Sequence, residues 1–400
     1  MPPKKLKYIN VKQAKEEIRK KVRTEIKNNP NKLTALKKES KPKKEYHKEF
    51  KRLMNIYFEG SKHVNADNLD NIKLSKDELI HHLSLKLDKS YSYAFIYIRQ
   101  LAITLRQAIA DPKKSSVYSV YNWQYLKNLE LWTDFIVDNG PSNDLIESLV
   151  QPLVQLIVGV IRLRPSARWL PIRFHCLKLL NQINYCYKNL TPVFANIIEI
   201  FNSVNFNQKT KRDSKKTINL MVMLHFSTSQ LGTFEHLEQT LDEVFQLIIE
   251  NLAVYSRSPA FPEYIFCLTS EIRSFYKKCS ESMFSNAYKS LVKKLEDHAN
   301  FVRKERTRRP NIEKINPNPV FEKYVESYRV ARLNELENIV KATRHTKFQL
   351  PQDDYEDKEK NFDSEDKDKV IEDGNESSDL DEEEDDDEYD IDSAQEVDDD

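Results

Sequence analysis

Four arginines, Arg162, Arg164, Arg168 and Arg173, crowd around Pro165 and Trp169. Guanidinium forks grip phosphate oxygens in pairs, and an indole ring beside them can stack on a base. The cluster therefore has the residue types of a nucleic-acid contact. Arg164 and Arg168 lie four apart and share a face wherever the segment is helical. The plainer reading is that these arginines bridge neighbouring helices through carboxylates and carbonyls. Two further clusters have no core role open to them: Arg303, Lys304, Arg306, Arg308 and Arg309, and Lys209, Lys211, Arg212, Lys215 and Lys216. Polyanion contact is expected of both. A fourth, Lys37, Lys38, Lys43 and Lys44, reads as a nuclear or nucleolar localisation signal combined with an RNA-contacting arm, against the plainer reading of a solvated tail.

Aromatic residues gather at Tyr118, Tyr121, Trp123, Tyr125 and Trp132. The periodic ones are expected in the core. Trp123, Tyr125 and Trp169 are the candidates for a partner interface, with Trp123 foremost. Ser378 precedes Asp381 by three residues in an acidic run, which suits an acid-directed kinase.

Catalytic patterns are missing. The nine histidines include His81-His82 but no H-E-x-x-H, and His175 reads as a packed or capping ring. Cys176, Cys186, Cys267 and Cys279 show no C-x-x-C pairing and are expected as reduced, small apolar side chains. No Ser or Cys sits in a nucleophile elbow. The five glycines, Gly60, Gly140, Gly159, Gly232 and Gly374, are too scattered for a G-x-G-x-x-G turn or a P-loop. The expectation is no catalytic, cofactor or metal site, and no enzyme.

So few glycines also argue against hairpin-rich sheets and for helices. The 400 residues carry 63 basic and 63 acidic side chains, but unevenly. Residues 1–54 hold 19 Lys and Arg against 6 Asp and Glu, whereas residues 352–400 hold 4 against 27. A basic head, a mildly basic body and an acidic tail point to polyelectrolyte partners. The N-terminus lacks the apolar core of a signal peptide, and the longest apolar stretch, Leu153 to Ile161, is too short to span a bilayer. A soluble intracellular protein with no membrane partner is expected.

The elements that would position these groups follow from a 3.6-residue apolar period between residues 66 and 305. Ser75-Lys76-Asp77-Glu78 reads as a capping box opening a helix toward Leu87. Phe95, Ile98, Ala102, Leu105 and Ile109 form the next buried stripe, ended by Asp111-Pro112. Tyr125, Leu129, Trp132 and Ile136 follow, stopped by Asn139-Gly140-Pro141. Leu145 to Leu163 is a further stripe in which Pro152 marks a kink or a helix start. Ile172, Cys176, Leu179 and Ile183 come next, and Thr191-Pro192 reads as a cap with proline at the first helical position. The run Ile218 to Phe226 fits a strand or an extended segment. A long helix then covers Phe234 to Tyr255, stripes Ile265 to Phe275 and Phe284 to Val302 complete the series, and Val320 to Arg344 could hold one more helix, with Tyr324, Tyr328, Ala331 and Leu336 toward a partner. The fold expected is all-α: an α-solenoid of HEAT or armadillo-like helix pairs. Residues 55–305 would be its body, 306–351 an irregular segment with one helix, and 1–54 and 352–400 a disordered basic arm and acidic tail.

Several runs resemble the nucleolar complex protein 2 family. They are Phe95-Ile96-Tyr97-Ile98-Arg99-Gln100-Leu101-Ala102, Val120-Tyr121-Asn122-Trp123-Gln124-Tyr125, Gln151-Pro152-Leu153-Val154-Gln155, Arg162-Leu163-Arg164-Pro165-Ser166-Ala167-Arg168, Pro171-Ile172-Arg173-Phe174-His175-Cys176 and Ala260-Phe261-Pro262-Glu263. They occur in order over roughly residues 90–305. The resemblance implies a helical-repeat, non-catalytic assembly factor of the large (60S) ribosomal subunit. It implies pairing with sister nucleolar complex proteins, types 1 and 3, on pre-ribosomal RNA and large-subunit precursor particles that move from nucleolus to nucleoplasm. Some animal relatives are linked to histones and transcriptional repression, so an acidic-tailed histone-binding co-repressor is the second reading; a transport adaptor is a third. The family also has a longer helical region before the first of these runs than this chain carries.

Overall fold

The computed structural model describes residues 30–111, 113–187, 193–207, 218–279, 281–309 and 314–345, with side chains left undescribed over 30–44 and at several positions from 333 onward. Among the described residues all regular structure is helical, as the apolar period predicts. The expected cap Thr191-Pro192, the lysine-rich loop at 209–216, residues 1–29 and the acidic tail lie outside them.

Helix α1 (Pro30–Gly60) runs through residue 54, where charge alone marks the edge of a basic arm. Tyr46, Phe50, Leu53, Met54 and Tyr57 recur at helical spacing and are all buried. The Tyr57 hydroxyl donates to the Lys127 carbonyl at 2.8 Å, tying α1 to a helix 70 residues away. Helix α2 (Leu69–Ser84) packs on α1. It begins six residues before the expected capping box. Asn65 and Asn68 exchange side-chain and backbone bonds at 2.9 Å ahead of it, while the Ser75 hydroxyl donates back to the Ile72 carbonyl within the helix. The two asparagines order the turn ahead of α2, and Asn68 at its N-cap makes no side-chain cap bond.

Helix α3 (Leu87–Ala110) buries Ala94, Ile98, Leu101, Leu105 and Ala108. The buried stripe is rotated from the expected one: Phe95, Ala102 and Ile109 are exposed. The small Ala94 and Ala108 let neighbouring backbones approach, and the bulkier side chains are left outside. After α4 (Lys114–Val120), α5 (Trp123–Asn139) buries Tyr125, Leu129, Trp132 and Ile136 as expected. Asn122 caps it, its side chain accepting from the Tyr125 N–H at 2.8 Å.

Pro152 falls in the first turn of α7 (Val150–Leu163), after the short α6 (Asp144–Glu147). It marks a helix start, since N–H groups there have no intrahelical partner. Asp144–Leu163 is long and apolar enough by composition to cross a membrane, a longer window than the apolar run Leu153 to Ile161. The break between α6 and α7 interrupts it, and 56% of the window is buried. Its apolar side chains serve the core: α7 packs on α3 and on α8 (Leu170–Tyr187). Gly159 permits the α3 approach, since a Cβ there would sit 2.7 Å from Leu105 Cδ2.

Helix α8 is buried nearly all round, Arg173, Asn181 and Asn184 included, and touches α5, α7, α9 (Val193–Ser203) and α10 (Phe234–Tyr255). Such a helix belongs in the middle of a body. The run 218–226 is extended around one 3-10 turn at Leu220–Val222. It is held by backbone bonds rather than a sheet: Ile172 N–H donates to Leu224 O at 3.1 Å, and Phe226 N–H to Arg168 O at 2.8 Å. Gly232, with φ 76°, makes the left-handed turn before α10, and Thr233 caps that helix by accepting from His236 N–H.

The C-terminal half adds α11 (Phe261–Tyr264), α12 (Phe266–Lys278), α13 (Ser282–Arg308) and α14 (Pro319–His345). Helix α14 returns to α10, where buried Arg332 lies 3.5 Å from Glu243 and Lys178 Nζ of α8 lies 2.5 Å from the same carboxylate. Tyr328 packs on Phe245 of α10 at 4.9 Å, and Lys294 of α13 sits over the Tyr324 ring. The tyrosines expected to face a partner are thus half-buried against their own body, and Ala331 is exposed.

Candidate interaction surface

The arginines around Pro165 do not stay together. Residues 164–169 are an extended link and a 3-10 turn between α7 and α8, so Arg164 and Arg168 do not share a helical face. Tyr121 organises this link. Its hydroxyl donates to Val160 O at 3.0 Å and accepts from the Arg164 N–H at 3.1 Å. Arg162 is exposed, whereas Arg164 and Arg168 are half-buried and Arg168 Nε is buried without a hydrogen-bond partner.

Arg173 is placed in the interior rather than on the surface a phosphate contact needs. It is fully buried in the first turn of α8, and its Nη2 donates to Glu199 of α9 at 2.9 Å. Burial pulls its pKa down against the pull of Glu199 in the other direction. Trp169 is likewise 5% exposed, packed against Tyr121 at 4.8 Å and His225 at 5.2 Å, and so presents no face for stacking on a base or a partner. Tyr125 is buried too, with its hydroxyl donating to Leu101 O at 2.8 Å. All three carry ordinary core duties: Tyr125 within α5, Trp169 in the 3-10 turn and Arg173 in the first turn of α8.

Trp123 is half-buried at the start of α5. It meets His175 edge to face at 5.7 Å, and Lys127 Nζ lies 5.8 Å from its ring centroid. His175 Nε2 faces the Met223 carbonyl at 3.3 Å, and desolvation drives its pKa down to about 3, so the ring is neutral, a packed histidine. Among the described residues no three His, Cys, Asp or Glu side chains are grouped to hold a metal ion. Of the free cysteines only Cys176 is fully buried; Cys267 is exposed, unlike the small core residue expected.

The last turns of α13 gather the exposed Arg303, Lys304, Arg306, Arg308 and, just past the helix end, Arg309. Cations are favoured at this carbonyl end. Arg306 Nη1 donates to Glu263 Oε1 at 2.6 Å, Arg308 Nη1 to Glu305 Oε1 at 2.9 Å, and Arg303 Nη1 to Asn300 at 3.0 Å. The Arg306 bond is the main cause holding the Glu263 carboxyl below the usual range. A guanidinium carries five N–H groups, so each contact leaves donors over. Lys37, Lys38, Lys43 and Lys44 fall within α1, where side chains are not described, and Ser378 lies outside the described residues.

One surface goes beyond what the sequence suggested. The outward face of α3 exposes Phe95, Ile96 and Ile103, at 39–56% exposure, with Arg99 and Arg106 alongside them. The signal for it in the sequence is the seven-residue spacing of 96 and 103, and of 99 and 106.

Fold and surface together define an all-helical protein that presents clustered arginines at one helix end and an apolar helix face elsewhere. The chain belongs to the Noc2p family, whose model matches residues 44–328. It is 33% identical over 250 residues to "Nucleolar complex protein 2" of Drosophila melanogaster, covering 62% of this chain and 32% of that one. It is 31% identical over 257 residues to "Nucleolar complex-associated protein 2" of Arabidopsis thaliana, covering 64% and 34%, and 27% identical over 226 residues to "Nucleolar complex protein 2 homolog" of Caenorhabditis elegans, covering 54% and 32%. The chain thus spans about a third of the length of these relatives.

Proposed function

We propose that this protein is a non-catalytic scaffold in large (60S) ribosomal subunit assembly, acting in the nucleolus and nucleoplasm. The observation that carries the reading is the family match across the folded body, with relatives named as nucleolar complex proteins. In this reading the body is an α-solenoid. Helices packing on near neighbours in the chain, α1 on α2, α7 on α8 and α12 on α13, support that arrangement. Sister nucleolar complex proteins of types 1 and 3 would dock on its surface. The exposed arginines ending α13, with the basic residues of the N-terminal segment, would hold pre-ribosomal RNA through phosphates with little sequence readout. Arg162 is exposed for the same role, while Arg173 is not.

The experiment is removal of residues 1–54 and, separately, of 352–400, followed by RNA binding across a salt series and by subunit profiles. The scaffold reading expects RNA affinity to fall steeply with salt and to drop without 1–54. Unchanged affinity after that deletion removes the arm's role. A histone-binding co-repressor is favoured only by the acidic run 352–400. If histone binding vanishes with that run while subunit assembly continues, the run serves this second activity.

A further inference from the structure

The outward face of α3 repeats every seven residues. Phe95 and Ile96 open it, Arg99 follows, and Ile103 and Arg106 close it. In a helix, positions seven apart differ by only about 20° in direction, so these five form one continuous stripe roughly 16 Å long. The stripe lies opposite the buried Ala94, Ile98, Leu101, Leu105 and Ala108, and its three apolar members are all well exposed. Neither Arg99 nor Arg106 has an ion-pair partner among the described residues. A row of aliphatic side chains interrupted at fixed intervals by cations is an incomplete coiled-coil seam.

We propose that this face seats an amphipathic helix of a partner protein, with aliphatic residues against Phe95, Ile96 and Ile103 and carboxylates against Arg99 and Arg106. The proposal rests on the scaffold reading and names the surface by which the scaffold pairs. Charge selects the occupant. A second copy of this face would set arginine against arginine. Residues 1–29 carry 10 Lys and Arg against 3 Asp and Glu, so they are like-charged. Residues 352–400 are acidic but hold no two aliphatic side chains seven apart. An acidic helix with a heptad of aliphatics, about four turns long, satisfies both features of the stripe at once.

The test places a photoreactive benzoylphenylalanine at Ile96, and in a second protein at Ile103, in the tagged full chain purified with its own complex. Adducts are mapped by mass spectrometry. The expected result is adducts on one partner helix, at sites about seven residues apart and flanked by Asp or Glu. The double change Arg99→Glu, Arg106→Glu should cut adduct yield about tenfold or more, the size of a broken close charge pair. Thermal unfolding and RNA recovery should be unchanged, and Lys at the partner's two carboxylates should restore the yield. No adduct, an adduct within the chain or to a second copy, or an adduct to RNA overturns the proposal. Ribosomal precursors recovered without an adduct reject this face alone; recovery of neither rejects the scaffold reading as well.

Discussion

Arg173 Nη2 donates to Glu199 Oε2 at 2.9 Å, joining the first turn of α8 to α9 through a guanidinium with no exposed surface. Its Nε and Nη1 are buried without partners. A buried charge held by one partner is costly to strand and cheap to replace. Glu199→Ala should therefore lose about 3 kcal/mol of stability, whereas Arg173→Met should unfold at the same denaturant concentration as the wild type or higher. Neither should change RNA affinity. A loss of RNA binding in folded Arg173→Met would restore the phosphate role that the structure denies it.

The aromatics of α5 divide in the same way. Tyr125→Ala should cost about 3–5 kcal/mol, and Tyr125→Phe about 1 kcal/mol for the missing bond to Leu101 O. Trp123→Ala should cost less, because the ring is half-buried, and should weaken partner binding while the chain stays folded. Denaturant unfolding beside co-purification separates the two effects. Equal destabilisation by both alanine variants would make Trp123 another core residue.

Acid should weaken the body. Burial holds His175 at about 3 and His236 at about 4, and lowers His298 as well. The unfolded chain takes up protons at these rings from about pH 6.5 downward while the folded chain refuses them, so stability is lost as pH falls. Asp242 works the other way: burial raises it to about 6, so the folded state gains by protonating it over the same range. The histidines outweigh the single aspartate, and a net fall on the order of 2 kcal/mol is expected between pH 7 and pH 5. Chemical unfolding at both pH values measures it. His236→Phe should flatten the profile.

Replacing Arg303, Arg306, Arg308 and Arg309 with alanine should lower RNA affinity for all sequences alike. The slope of log affinity against log salt should shrink by roughly 0.7 for each phosphate no longer neutralised. Filter binding at several salt concentrations reads this directly. An unchanged slope would leave these arginines as plain solvated charges at a helix end.

Much of the fold is legible in single elements. Tyr125, Leu129, Trp132 and Ile136 recur at helical spacing, and α5 buries all four. The α3 stripe is harder to place because alanines signal burial weakly, although Ala94 and Ala108 are what its neighbours pack on. The start of α2 is hidden because no side-chain cap marks it: Asn65 and Asn68 only order the turn ahead of it, and Ser75 has a better-known spacing. Arginine clusters are visible as composition. Whether each faces water depends on distant partners, such as Glu199 for Arg173 and Tyr121 for Arg164, which no local spacing announces.

The central claim is a scaffold on large-subunit precursors. Its most direct test is purification of the tagged chain at physiological salt, with its proteins identified by mass spectrometry and its RNA by sequencing. The account predicts large-subunit precursor RNA together with a sister nucleolar complex protein. Histones and deacetylase-type partners recovered without precursor RNA would contradict it.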